Sequence, residues 1–286
     1  MGRPYLTDSG RTVEILQKYG IRAQKRFGQN FLTDAHVLDQ ILEAAEIGKE
    51  DFVLEIGPGI GTLTQYLADA AGEVCAVEID KNLLPVLQET LREWPNVTVI
   101  NEDILKLDLK AVLPGEKKGK VCANLPYYIT TPVLMKLLES RLPLASVTVM
   151  VQKEVALRMT ASPGTKDYGA LTLAVAYYTK AELVCQVPPH CFIPRPQVGS
   201  AIVHMRIREK PAISVTDEEK LFSLIRTGFG QRRKTLVNTI LNSTDFSCSR
   251  EKVEDSLKKL GLDERIRGEA LNLEQFGLLS DLLQKE

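Results

Sequence analysis

Several things are scarce in this chain, and each scarcity narrows the reading. Three histidines and five cysteines are spread over 286 residues. The cysteines are odd in number and form no C-x-x-C pair, so neither a disulfide framework nor a metal site is expected. Net charge is missing too: 36 Lys and Arg stand against 37 Asp and Glu, a balance of -1. That excludes a sticky polycation and leaves room only for local patches. No apolar signal region opens the chain, and no run reaches the roughly 18 apolar residues of a membrane helix. A cytoplasmic protein without a membrane partner is expected. No internal repeat or low-complexity tract is present.

Two basic patches stand out against the neutral total. Residues 1–27 hold six Lys or Arg, among them Arg22, Lys25 and Arg26, against two acids. A second cluster gathers Arg226, Arg232, Arg233 and Lys234 around Phe229 without an acid. Such patches suit phosphate contacts of a nucleic acid; solvated helix faces are the plainer alternative.

Short apolar runs alternate with helix-period segments through the first two thirds. Strands are expected over 52–56, 74–77, 97–100, 121–123 and 147–151, with helices over 62–71, 83–91, 133–139 and 152–159. This alternation predicts an α/β fold with a Rossmann-like parallel sheet covered on both faces. The runs 183–187 and 200–207, joined by a proline-rich turn, predict an antiparallel edge hairpin. Beyond Pro211 the pattern is helical and charged. Two domains follow, 1–209 and a small all-α domain over 210–286.

Chemistry concentrates at strand ends. Glu55-Ile56-Gly57-Pro58-Gly59-Ile60-Gly61 joins the first expected strand to its helix. Glycines there let the backbone approach a ligand. Such turns also serve dinucleotides, but Thr62 replaces the third glycine of G-x-G-x-x-G. Glu55, at the head of the loop, would repel a pyrophosphate and suits a cationic amino acid such as a sulfonium. Glu78 ends the second strand, 21 positions after Gly57, where an acid bonds a ribose diol. Asp103 ends the third, placed to accept from an adenine amino group. Helix capping is the structural alternative for both acids.

The fourth strand ends in Asn124-Leu125-Pro126-Tyr127-Tyr128. A carboxamide oxygen and the Leu125 carbonyl can each accept one N–H of an exocyclic amine. Pro126 forces a turn, and an aromatic ring, favoured as Tyr127, stacks on the heterocycle. Tyr128 has no assigned role. No histidine sits beside this motif, which agrees with chemistry that needs no strong base before attack.

Together these segments resemble the ribosomal RNA adenine N6,N6-dimethyltransferases, nearest their bacterial small-subunit branch. The resemblance also runs through Phe27-Gly28-Gln29-Asn30-Phe31-Leu32, Phe192-Ile193-Pro194-Arg195-Pro196-Gln197-Val198-Gly199-Ser200 and Gln231-Arg232-Arg233-Lys234, and it covers nearly the whole chain. Gly199 departs from the polar or acidic residue expected before Ser200. The resemblance implies S-adenosyl-L-methionine as donor, met by Asn30, Leu32, Gly57, Gly59, Gly61, Glu78, Ile79, Asp103, Ile104 and Asn124. It implies Phe192 as a second aromatic wall of the base pocket, opposite Tyr127. It implies a partner, 16S rRNA within a small-subunit precursor, gripped by the two basic clusters, and a monomeric enzyme. Rivals are the large-subunit adenine methyltransferases of macrolide resistance and an assembly factor that acts mainly by binding; a nicotinamide dehydrogenase is disfavoured by the glycine loop.

Overall fold

The apolar runs become strands of one sheet because each is bounded by turn residues and packs helices on its faces. A computed structural model describes residues 5–21, 29–113, 115, 118–231 and 233–284. In chain order the elements are α1 (Ser9–Lys18), β1 (Phe31–Leu32), α2 (Ala35–Ala45), β2 (Phe52–Ile56), α3 (Thr62–Ala70), β3 (Glu73–Glu78), α4 (Leu84–Thr90), β4 (Val97–Asn101), β5 (Gly119–Asn124), α5 (Thr130–Glu139) and β6 (Leu144–Gln152). There follow α6 (Lys153–Met159), α7 (Ala170–Tyr178), β7 (Thr179–Val187), β8 (Phe192–Ile193), β9 (Ser200–Ile207), α8 (Glu218–Gly230), α9 (Leu236–Leu241), α10 (Arg250–Lys259) and α11 (Leu273–Gln284).

The chain forms two compact units, Met1–Ala156 with Glu182–Ile207, and Leu157–Ala181 with Arg208–Glu286. In the first, the sheet runs β4-β3-β2-β5-β6-β9-β7. β4, β3, β2, β5 and β6 are parallel, and β9 runs antiparallel to β6 with Val149 opposite Val203. The order reverses between β2 and β5, which opens a crevice at their carboxyl ends. On one face α2 and α3 bury Leu38, Ile41 and Leu67 against Val53, Cys122 and Met150. Asp34 caps α2 by accepting from the Val37 N–H at 3.2 Å. A second, two-stranded sheet pairs β1 with β8, Leu32 facing Phe192.

Residues 5–21 are docked on the rest of their unit. Leu6 and Ile15 pack with Phe31, Ile60 and Leu83. The Leu6 N–H donates to Gln65 Oε1 at 3.0 Å. The Tyr5 hydroxyl and the Trp94 indole N–H both donate to the Asp69 carboxylate. Lys18, counted above among the basic residues, donates to Glu89 at 2.6 and 2.8 Å.

The second unit shows why a linear boundary misses part of it. The α7 stretch is apolar on every side, burying Leu171, Leu173, Ala174, Val175, Tyr177 and Tyr178. It therefore carries no periodic signal, and 157–181 reads as part of the sheet domain. Its tyrosine hydroxyls instead donate to Glu218 of α8, Tyr177 at 3.0 Å and Tyr178 at 2.6 Å. The Tyr178 and Phe222 rings stack at 5.6 Å.

Candidate active site

Four strand ends meet at the crevice. The chain leaves β2 through three glycines in left-handed geometry, Gly57 (φ 70°), Gly59 (φ 62°) and Gly61 (φ 95°). An L side chain pays to adopt such angles. A Cβ on Gly59 would also lie 3.3 Å from the Phe31 ring. The Gly57 N–H donates to the Val77 carbonyl at 2.9 Å, which ties the loop to β3.

That loop opens onto a cavity of about 180 Å³ whose lining includes Asn30, Leu32, Glu55, Gly57, Gly59, Glu78, Ile79, Asp103, Ile104, Asn124, Leu125, Pro126 and Tyr127. Glu55, Glu78, Glu102 and Asp103 face it, and no Lys or Arg is among the described residues that line it. The wall is therefore acidic, unsuited to a pyrophosphate and suited to a cation.

Each acid has its own environment. Glu55 is 1% exposed, and its Oε2 has no hydrogen-bond partner among the described residues. Burial pushes its carboxyl up to about 8; Thr64 draws it down and the charge of Glu78 adds to the rise. Glu78 is held in place: Oε2 accepts from the Gly59 N–H at 3.2 Å and Oε1 from the Asp80 N–H at 2.8 Å. Burial raises the Glu78 carboxyl, and these backbone donors oppose the rise. Asp103 accepts from the Leu105 N–H at 2.9 Å through Oδ1. Neither acid caps a helix: Glu78 braces the glycine turn and Asp80, Asp103 braces its own turn, and both line the cavity.

At the end of β5, Asn124 Nδ2 donates to the Asn30 carbonyl at 3.3 Å. That bond sets which edge of the amide is the donor and turns Oδ1 away from Asn30. Leu125 donates its N–H to the Met150 carbonyl at 3.1 Å. The Pro126 carbonyl is taken by the Ile129 N–H and the Thr130 hydroxyl, both at 3.2 Å. Tyr127 shares a 2.8 Å hydrogen bond with the Ser200 hydroxyl, which fixes its ring beside the turn. Gln29 Nε2, in the segment before β1, donates to Asp80 at 3.2 Å.

Not every expected residue arrives. Phe192 does not line the cavity: pairing of β8 with β1 turns it into the core, where it is 1% exposed among Leu32, Val37 and Cys191. Gly61 does not line the cavity either; its N–H donates to the Pro58 carbonyl, and it forms the N-cap of α3. Arg226, Arg233 and Lys234 are exposed in the second unit. Arg22, Lys25, Arg26, Phe27, Gly28 and Arg232 lie outside the described residues. The histidines stay away from the cavity, with His36 and His190 exposed and His204 buried against the Thr148 hydroxyl at 2.8 Å. Beyond the residues expected from the sequence, Gln29, Phe31, Glu102, Tyr128, Leu83 and Leu105 also line the cavity; the first four stand in the motifs, and the two leucines gave no signal.

Known proteins share this layout. The chain is 54% identical over 286 residues to a ribosomal RNA small subunit methyltransferase A of Lachnoclostridium phytofermentans, covering 99% of each protein. It is 49% identical over 280 residues to the protein of that name from Bacillus pumilus, covering 96% of each. Among solved structures it is similar to a dimethyladenosine transferase from Plasmodium falciparum, with TM-score 0.73, 29% identity, and coverage of 87% of this chain and 95% of that one. The 23S rRNA methyltransferase ErmE also matches, at TM-score 0.68 and 30% identity over 90% of this chain and all of that one. The family model described as ribosomal RNA adenine dimethylase matches residues 20–285, so the chain belongs to the ribosomal RNA adenine dimethylase family.

Proposed function

We propose that this enzyme uses S-adenosylmethionine to dimethylate N6 of adenosines, two adjacent ones, in 16S rRNA of a small-subunit precursor. The observation that carries the site assignment is one cavity walled by the glycine turn, Glu78, Asp103 and the Asn124–Tyr127 turn. The small-subunit target is supported by full-length relatives at about half identity that carry that name. We assign the enzyme to the cytoplasm as a monomer; no helix among the described residues is long and apolar enough to cross a membrane.

The residues present fit the donor. Left-handed glycines admit it closely, the walls are acidic, and Glu55 offers a buried carboxyl oxygen in need of a partner. Asn30, Leu32 and the Gly57–Gly59 turn hold the amino-acid end, and Glu55 faces its positive charge. Glu78 takes the ribose hydroxyls. Asp103 takes the adenine amine, with Ile79 and Ile104 against the ring. When bound, S-adenosylmethionine supplies an electrophilic methyl group.

The acceptor side must make a poor nucleophile competent. The N6 lone pair of adenine is delocalised into the ring. Asn124 Oδ1 and the Leu125 carbonyl accept the two N6 hydrogens and draw the nitrogen toward a pyramidal geometry. The Asn30–Asn124 bond keeps the amide in that sense. Tyr127, pinned by Ser200, stacks on the extruded base; stacking of this kind is worth about 1–3 kcal/mol, against a few kcal/mol for leaving the helix stack. Position and orientation account for roughly 7–11 kcal/mol of such a barrier. Once methylated, the nitrogen would be acidic enough to give its proton to water, so no histidine is required. Exposed Arg226, Arg233 and Lys234 grip RNA phosphates, and the helical second unit reads RNA shape.

The test is tritiated donor with undermethylated small and large subunits, followed by nucleoside analysis. Label as N6,N6-dimethyladenosine in small-subunit RNA is expected. Label confined to large-subunit RNA would move the assignment to the ErmE-like reading.

A further inference from the structure

The two consecutive tyrosines of the turn line one cavity but differ in exposure and in partners. Tyr127 reaches Ser200 at the start of β9, opposite Gln152 of β6. In the sheet order this lies on the β6 side of β5. Tyr128 lines the same cavity but is 50% exposed. The charged groups that act on it are Asp103 and Glu78, at the ends of β4 and β3 on the opposite side of β5. Burial is the first cause that raises its phenol, and these two carboxylates add to the rise. Ile79, 46% exposed, and Leu105, 38% exposed, line the same mouth. An exposed aromatic and two exposed aliphatics around a pair of carboxylates form an open-sided slot for a flat polar heterocycle.

We propose that Tyr128 is a donor-binding residue whose ring closes over the adenosine of the donor between Ile79 and Leu105, while Tyr127 alone serves the acceptor base. This rests on the assignment of Glu78 and Asp103 to the donor's ribose and adenine. It divides the motif by partner: Asn124 to Tyr127 hold the acceptor, and the next residue holds the donor. The ring is half exposed before binding, so its closure excludes water from the adenosine only once the donor is seated.

The experiment measures calorimetric affinity for S-adenosylmethionine, S-adenosylhomocysteine and adenosine with Tyr128→Ala, Tyr128→Leu and Tyr128→Phe, beside Glu78→Ala and Asp103→Ala. Tyr128→Ala should weaken all three ligands by roughly fivefold to a hundredfold, the range of one base–aromatic stack. Tyr128→Phe should stay within about twofold of the parent if the π-face does the holding. Tyr128→Leu, which keeps bulk on an exposed site, should fall between them and guards against a folding artefact. The KM for undermethylated subunits should stay unchanged. Donor affinity unaltered in Tyr128→Ala, with Glu78→Ala and Asp103→Ala weakened, overturns this inference and leaves the pocket assignment standing. Unaltered affinity in all five variants overturns the pocket assignment itself. A raised KM for RNA with unaltered donor affinity moves Tyr128 to the acceptor side and also refutes the inference.

Discussion

Replacing Glu55 by glutamine should change both how the protein melts with pH and how it binds its donor. The carboxyl is fully buried in β2, and its acidity is displaced from 4.5 to about 8, chiefly by burial. Its cross-strand neighbour Cys122 is held as a thiol by the same burial. The folded chain therefore keeps a proton that the unfolded chain gives up above about pH 4.5. This contribution to stability is full below pH 4.5 and drains away as pH rises through 8. The loss is roughly 1.4 kcal/mol per pH unit, on the order of 5 kcal/mol in all. Glu55→Gln has no such proton, so its melting temperature should vary less between about pH 5 and 8. A cationic donor reverses the preference, because it favours the carboxylate. At pH 7, below that value, the Glu55 side chain is mostly protonated before binding. Donor binding should then release close to one proton, and Kd should fall about tenfold from pH 6 to 7, where the donor's amine stays charged. Calorimetry in buffers of differing ionisation heat reads the proton directly. A wild-type proton release near zero at pH 7, or an unchanged pH slope in Glu55→Gln, refutes the reasoning.

Four further outcomes are expected. Asn124→Ala should lower kcat by roughly a hundredfold or more through loss of orientation while donor affinity stays within a few-fold; near-normal turnover would sink the acceptor assignment. Glu78→Ala removes a carboxylate braced by two backbone donors and should weaken donor binding by roughly tenfold to a hundredfold, read by titration calorimetry. Gly59→Ala must hold φ near 62° with its Cβ 3.3 Å from Phe31; a cost of about 1–2 kcal/mol should appear as a lower melting temperature and weaker donor binding. Arg226→Glu with Arg233→Glu should reduce the slope of log affinity for RNA against log salt by roughly 0.7–0.9 per lost phosphate contact; an unchanged slope would make both bystanders.

Much of the sheet was legible because its strands are short apolar runs with glycine, asparagine or an acid at their carboxyl ends. Those end residues are also the cavity wall, so fold and site were readable from the same letters. Glu78 is an instance: its place after the second strand marked it, and the structure adds that Gly59 and Asp80 clamp it. What stayed hidden depends on long-range partners. Phe192 sits in a plausible motif, but only its pairing with Leu32 shows that it faces the core. The α7 helix gave no periodicity because all its sides are buried. Lys18 counted as part of a basic arm until Glu89, distant in sequence, proved to hold it. Tyr127 and Tyr128 look alike in sequence, and only the strand order separates their surroundings.

The Asp69 junction turns the single tryptophan into an optical gauge. Trp94 is 2% exposed, and its indole shares one carboxylate with the Tyr5 phenol, whose ring lies 5.9 Å away. With one tryptophan beside eight tyrosines, emission excited at the red edge, where tyrosine does not absorb, has one origin. Release of the N-terminal segment would strip Tyr5 from the indole, admit water and shift the emission to longer wavelength. Undocking of that segment can thus be followed in solution without a label and apart from global unfolding.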